Sequence, residues 1–417
     1  MIVRPALLAL LLGSVVTLLS SCSGRFQEIP SSPPDVRSAE FANLMTQVAQ
    51  APWIDGNHVL TLENGNGYFP PMLEAIAKAK KTITFETFVY KKGRVGREFS
   101  VAFAAAARRG VKVHVILDAN GSRWVDKDDI AMMVAEGVEF FLFRSFNLLK
   151  LGRYNNRTHR KTMVIDGNLA YTGGAGYTDL WIGDAQNQYQ WRDTQYEIRG
   201  PVVRQLQEGF LENWKEVSSK TLHGPDYFPP LPSAGRMVSH FSLGAPEDRG
   251  DTLGSSFLLA INAAQQSILI EHAYFIPHRD LVNALLRARQ RGVHVEIIVC
   301  GEHTDFKVCR IAQRPSLLQL HRAGCQIWEY SPTMMHGKLL VVDDYFSAVG
   351  SANFDDRSFF LNDEANLHVL DTPFAREQRK MFERDRKCCK LLTSKDLRFR
   401  LHQLPVQLGA QAIKGQL

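Results

Sequence analysis

Two short segments of the 417-residue chain set an imidazole and an ammonium group two positions apart: His159-Arg160-Lys161 and His336-Gly337-Lys338. Each runs on through four residues to an Asp (Asp166, Asp343) and six more to a Gly (Gly173, Gly350). On a strand, residues i and i+2 face the same side, so each histidine and its lysine point into one space. If the two segments pack face to face, two imidazoles and two ammonium groups converge. Such a set suits a phosphodiester. The cations neutralise phosphoryl oxygens as charge builds during transfer. One imidazole attacks phosphorus and the other protonates the leaving oxygen, tasks open to histidine because its unperturbed pKa lies near neutrality. A covalent phospho-histidine then passes to an alcohol or to water. Lysine and histidine supply the charge and the protons, so no metal, nucleotide or other cofactor is expected.

A lone His-x-Lys is mostly coincidence or surface decoration. Here the pattern recurs at a constant spacing of 177 residues for His159/His336, Lys161/Lys338, Asp166/Asp343 and Gly173/Gly350. Packing alone does not demand this, because Lys and Asp do not fill cores. The similarity extends upstream: AIAKAKKTITFETFVY matches AINAAQQSILIEHAYF, ARRGVKVHVILD resembles ARQRGVHVEIIVC, and AEGVEFFLF resembles RAGCQIWEY. Two copies at this spacing make a duplicated domain and not a solenoid, which needs shorter periods and more repeats.

The elements that would position these groups alternate. Residues 71–80 and 97–109 are Ala-rich and amphipathic and predict helices. Val111–Asp118 and Val138–Phe143 are β-rich runs, answered in the second copy by Ser267–Ile270, Val293–Val299 and Gln326–Tyr330. The His-x-Lys segments lead into Met163-Val164-Ile165 and Leu339–Val342, again strand-like. The alternation predicts α/β layers with a mixed or mostly parallel sheet, as two tandem domains, 45–218 and 251–400. Residues 219–250, where Pro225, Pro229, Pro230 and Pro232 crowd together, read as a linker, and 401–417 as a tail.

The composition is that of a folded chain: 45% hydrophobic, with 49 Lys+Arg against 43 Asp+Glu. It excludes disorder and collagen-like structure, and the net charge of +6 favours anionic partners. Residues 1–22 place Arg4 before an apolar run from Ala6 to Leu19, the pattern of a secretory signal. Leu19-Ser20-Ser21-Cys22 resembles the lipobox of bacterial lipoproteins, which implies lipidation at Cys22. An uncleaved anchor and an ordinary cleaved signal are the alternatives. Residues 23–44, polar and Pro-rich, read as a flexible tether. Cys300, Cys309, Cys325, Cys388 and Cys389 show no paired spacing, so no zinc site is expected.

The doubled pattern resembles the HKD signature of the phospholipase D superfamily, over most of residues 45–390. NRTHRKTMVIDG, WRDTQYEIRGP and GSANFDDRSFFLNDEANL are similar, more narrowly, to bacterial cardiolipin synthases. The resemblance implies two tandem α/β/α-layered domains related by a pseudo-twofold axis, and a site built on His159, Lys161, Asp166, His336, Lys338 and Asp343. It makes one histidine the nucleophile and the other the general acid, in either order. Lys161 and Lys338 would bind phosphoryl oxygens, with Ser351 and Asn353 at the phosphate. Glu364 and Asp193 would orient the imidazoles, fixing the tautomer. Asp166 and Asp343 complete the motif and would support a turn. The first copy departs from the pattern: Gly174 and Gly176 stand where the second has Ser351 and Asn353.

Transfer of a phosphatidyl group to a second phospholipid is the implied reaction. Hydrolysis by a phospholipase D, phosphodiesterase or nuclease is the alternative, and a non-catalytic lipid-binding lipoprotein a further one. The expected partner is an anionic phospholipid and not nucleic acid. The expected setting is a monomer held by a lipid anchor at the bacterial cell envelope, facing the periplasm. Three features stay open between two readings. Arg153, Arg157, Arg160 and Lys161, with Tyr154, form a solvated loop or a headgroup site. Glu86 and Glu271 bind glycerol hydroxyls or close the sheet edge. Phe146 to Leu149 pack or dip into lipid.

Overall fold

The computed structural model describes residues 24–146, 155–245 and 251–398. The expected signal and Cys22, the run 147–149, Arg153, Tyr154 and the tail lie outside them. The first half contributes β1 (Ile54–Glu63), β2 (Thr82–Thr87), β3 (Lys112–Asp118), β4 (Glu139–Phe143), β5 (Thr162–Ile165), β6 (Leu169–Gly173) and β7 (Thr194–Arg199). The second contributes β8 (Met237–Gly244), β9 (Ser267–His272), β10 (Phe275–Ile276), β11 (His294–Cys300), β12 (Gln326–Tyr330), β13 (Lys338–Val342), β14 (Phe346–Gly350), β15 (Phe354–Asp355), β16 (Glu364–Leu370) and β17 (Cys389–Leu391).

Hydrogen bonding links the strands in the order β4-β3-β2-β5-β6-β7-β1-β8-β16-β14-β13-β9-β11-β12-β17. The second half thus mirrors the first about the β1/β8 seam, with β17 added at the edge. β2, β3 and β4 are parallel, as are β9, β11 and β12; the remaining main-sheet pairs are antiparallel. At the seam β1 is shared. Ile54 and Asn57 pair with β8 across a register break, whereas His58 to Glu63 pair with β7.

Strand alternation then sorts side chains into layers. Ile83 and Phe85 face outward, packing with Tyr68, Phe69 and Phe99 of helices Asn64–Lys78 and Arg94–Arg108. Thr84 and Glu86 face inward, bonding Gln207 and Asn213 of helix Val203–Val217. In the second half Ile268 and Ile270 face helices Leu253–Ala263 and Arg279–Gln290. One central cluster joins inward residues of both halves (Val164, Ile198, Leu269, Val341) to Leu206, Phe374 and Phe382 of helices Val203–Val217 and Thr372–Lys387. The two halves of the sheet therefore enclose a middle helical layer and carry helices on their outer faces.

Two expectations are corrected. The segment 219–250 is no simple linker, because β8 occupies 237–244 and pairs with β16 along Val238 to Gly244. Its prolines stop at Pro232 and resume only at Pro246, so they flank β8 and leave the strand free to donate. Nor do the described residues of 23–44 hang loose. Val36 and Phe41 are buried in the second half's outer core, Phe26 stacks on Phe360, and the Gln27 backbone N–H donates to Ser255 Oγ at 2.9 Å. Scattered aromatic and aliphatic residues pin a chain that its prolines make look extended.

Candidate active site

Lys338 opens β13 and Lys161 stands immediately before β5, and the histidines lie just ahead of those strands, not within them. Neighbouring chain from the other half fixes each. The His159 N–H donates to the Asp363 carbonyl at 2.8 Å, and the His336 N–H to the Arg192 carbonyl at 2.7 Å. Each lysine curls back on its own histidine: Lys161 Nζ donates to the His159 carbonyl at 2.8 Å, and Lys338 Nζ to that of His336 at 2.7 Å.

The carboxylates cross between the copies. His159 Nδ1 lies 2.9 and 3.0 Å from the oxygens of Glu364, which opens β16 of the second half. His336 Nδ1 lies 2.7 Å from Oδ2 of Asp193, which precedes β7 of the first. All four groups are almost fully buried. Burial alone pushes both carboxyls up. The imidazole and lysine near each outweigh it, taking Glu364 down to about 2 and Asp193 below the usual carboxylate range. Burial, with help from the nearby lysines, takes His159 down to about 4 and lowers His336. Burial also lowers Lys338 and takes Lys161 down to about 7. At neutral pH each carboxylate is thus ionised and each imidazole neutral, donating Nδ1–H and keeping its lone pair on Nε2.

Ser351 Oγ donates to Glu364 Oε2 at 2.5 Å, so its hydroxyl orients the carboxylate. Asn353, with Phe88, Asn120, Tyr274, Asp305 and Phe306, lines a cleft of about 390 Å³ that opens on His159. A larger cavity of about 570 Å³ lies by β12 and β17 and contains none of the motif residues.

Asp166 and Asp343, placed among the catalytic residues by the motif, sit at the far ends of β5 and β13, on the order of 15 Å away at about 3.3 Å per residue. Asp166 accepts the backbone N–H groups of Lys80, Lys81 and Thr82; Asp343 accepts those of Gln265, Gln266 and Ser267. Each also adopts positive φ, +49° and +52°, to begin the tight turn into the next strand. They tie each sheet together and do not reach phosphorus.

The basic cluster separates in the same way. Arg157 is buried in a bidentate pair with Asp118 at 2.9 Å, and Arg160 reaches Glu212 at 2.9 Å and the Gly209 carbonyl at 2.5 Å. Both act as braces; Arg157 also lines the cleft, and Arg160 does not. Glu86 bonds Thr158 and Asn213, while Glu271 is buried against Gly337. Neither glutamate lines the cleft.

Sequence reasoning missed Trp181. Its Nε1–H donates to Asp193 Oδ2 at 2.8 Å, the oxygen that holds His336, and its ring lies 5.3 Å from that imidazole. This also accounts for the departures in the first copy. A Cβ at Gly174 would overlap the Asp193 carboxylate, and one at Gly176 would stand 3.0 Å from both the Trp181 ring and Val89. The indole fills the space and does the orienting that Ser351 performs across the axis. The sequence signal was the pair of glycines, which leave room for a large side chain whose identity spacing does not give.

A doubled α/β fold with two His-Lys pairs braced across a pseudo-twofold axis defines an enzyme of the phospholipase D superfamily. A family profile described as "Cardiolipin synthase, PLD-like domain" matches residues 72–213 and 257–386, and the chain belongs to that family of phosphatidyltransferases. It is 32% identical to a cardiolipin synthase of Geobacillus sp. (strain WCH70) over 85% of this chain and 71% of that one. It is 32% identical to cardiolipin synthase A of Pseudomonas putida (strain F1) over 88% and 76%. Among solved structures, phosphatidylserine synthase of Haemophilus influenzae Rd KW20 superposes with a TM-score of 0.67 at 15% identity, over 90% of this chain and all of that one. That likeness is one of fold.

Trp181→Phe keeps the ring and removes the donor. It is expected to lower kcat tenfold to a hundredfold, corresponding to about 1–3 kcal/mol for a hydrogen bond to a buried charged group, with the melting temperature little changed. Steady-state kinetics beside thermal unfolding checks this; unchanged kcat would show that Asp193 needs no such support.

Proposed function

We propose that this enzyme makes cardiolipin by a two-step displacement through a phosphatidyl-histidine. His159 Nε2 attacks the phosphorus of phosphatidylglycerol, forming an N–P bond. Binding of the phosphodiester anion favours uptake of a proton on His336 Nε2, and the bond from phosphorus to the glycerol headgroup breaks as that imidazolium gives the leaving oxygen its proton. A hydroxyl of a second phospholipid headgroup then attacks, its proton goes to His336, and the N–P bond breaks. Lys161 and Lys338 hold the phosphoryl oxygens throughout. The observation that carries this order is the cleft: both histidines are almost fully buried, but His159 lines it, whereas His336 packs beside Trp181 and Trp191 and does not. The family relatives support the lipid acceptor.

The test is labelled phosphatidylglycerol with the purified protein. Cardiolipin and free glycerol are expected, and phosphatidic acid as the main product would assign water as acceptor. His159→Ala and His336→Ala should each reduce turnover by at least about 10³-fold while remaining folded. Quenched in neutral denaturing detergent, because the N–P bond is acid-labile, the wild type should carry label on His159 and His159→Ala none, and the absence of any labelled wild-type protein would sink the covalent step.

The pH dependence has a definite sign. In the free enzyme Lys161 loses its proton near pH 7, so kcat/KM should fall as pH rises through about 7. It should fall again below about 4, where His159 is protonated. A bound phosphodiester anion raises the lysine pKa, so kcat should hold to higher pH than kcat/KM. Coincident alkaline limbs in the two profiles would contradict this.

Membrane attachment through a lipid on Cys22 belongs to the same reading and rests on Leu19-Ser20-Ser21-Cys22. Among the described residues no helix is long and apolar enough to cross a membrane. Growth with labelled palmitate should mark the wild type and not Cys22→Ala; label in both would refute it.

A further inference from the structure

The aromatic side chains left exposed among the described residues are not scattered. Trp124, Phe146, Tyr189 and Phe306 are 63%, 65%, 71% and 50% exposed, while the other large exposed hydrophobics are the aliphatic Leu60, Val101, Val134, Leu142 and Leu391. Trp124 follows β3, Phe146 follows β4 and Phe306 follows β11, each just past the C-terminal end of its strand. Tyr189 lies in the β6–β7 connection that carries Trp181 and Asp193. All four therefore sit on the strand edges that present the motif histidines. Trp124 and Phe306 also occupy matching places: each stands six residues beyond the end of equivalent strands β3 and β11. Their loops supply Asn120 on one side of the cleft and Asp305 and Phe306 on the other.

Cations accompany the rings. The Arg123 guanidinium lies 5.4 Å from the Trp124 ring centroid, and exposed Lys307 follows Phe306. Of the carboxylates on these loops, Asp126 pairs with Lys92 at 2.8 Å and Asp305 accepts the Tyr274 hydroxyl at 2.5 Å, while Asp128 and Glu302 stand exposed. Aromatic rings beside cations settle at the headgroup level of a bilayer.

We propose that this rim is an interfacial docking surface that seats the cleft against an anionic phospholipid bilayer, with Trp124 and Phe306 as paired anchors on either side of the opening. The inference rests on the phospholipid substrate proposed above and deepens it. A two-chain lipid that left the bilayer completely would expose its acyl methylenes to water. Seating the cleft in the headgroup layer lets phosphorus reach His159 while the chains stay in the membrane. Tethering alone would not fix this orientation; two anchors related by the pseudo-twofold axis do.

The experiment uses the full-length protein. The emission of wild type minus that of Trp124→Phe isolates Trp124. It should be quenched by phosphatidylglycerol vesicles with brominated acyl chains, and little by vesicles of phosphatidylcholine alone. The double variant Trp124→Ser/Tyr189→Ser should lose about tenfold of its rate on phosphatidylglycerol vesicles. It should match wild type on short-chain phosphatidylglycerol dispersed as monomers. Trp124 emission indifferent to brominated lipid, an unchanged vesicle rate, or equal losses on both substrates would each overturn the proposal. Should the wild type turn over neither substrate, the proposed reaction falls, and the quenching measurement still decides whether this rim meets the bilayer.

Discussion

The structure depends on an exchange: each motif histidine is held by a carboxylate from the other copy. Glu364 of the second half orients His159 of the first, and Asp193 of the first orients His336 of the second. Backbone bonds run with the exchange, from His159 to Asp363 and from His336 to Arg192. Neither copy contains a complete imidazole–carboxylate pair. Chemistry therefore requires the two halves to be docked, and the large shared core between the sheets does that docking.

Such a centre is expensive. Two lysines, two histidines and two carboxylates are taken out of water, at several kcal/mol per ion before compensation. The compensation is specific: carboxylate against imidazole, serine hydroxyl or indole N–H against carboxylate, ammonium against backbone carbonyl. It is incomplete at Lys161, whose pKa sits near 7. With both carboxylates ionised and both imidazoles neutral, the centre is short of positive charge. A phosphodiester anion would raise that lysine again, so substrate binding itself recharges the groups that bind it. The surroundings are braced by further buried ion pairs, Arg157 with Asp118 and Arg192 with Asp385.

Much of this was legible in the sequence because a duplication doubles every signal. Fixed spacing between His159 and His336 marked the chemistry, and the β-rich runs flanking it marked β3, β4, β11 and β12 at nearly their observed bounds. What the sequence concealed was topology. Nothing in a linear repeat says that a carboxylate serves the opposite copy. β8 was hidden because a cluster of prolines precedes it and its counterpart β1 has a different sequence. Asp166 and Asp343 travel with the motif, yet the motif is as much a folding unit as a catalytic one. Strand, capping aspartate and turn recur together because the lysine at one end of the strand is only as well placed as the sheet to which the aspartate secures the other end.

The two halves have meanwhile diverged in the groups that hold the orienting carboxylates. Across the axis a small hydroxyl, Ser351, steadies Glu364; on the near side two glycines clear space for Trp181 to steady Asp193. Both solutions give an ionised carboxylate with one oxygen tied down, beside an imidazole that burial lowers from its ordinary value. The bulk differs. Trp181 and Trp191 crowd His336, their ring centroids 5.3 and 5.5 Å from its own, whereas His159 meets Phe88 at 5.1 Å and opens on the cleft. The two histidines thus differ in their surroundings, one lining the cleft and the other packed beside two indoles, and in the proposed mechanism that difference sets the nucleophile apart from the proton donor without altering either motif.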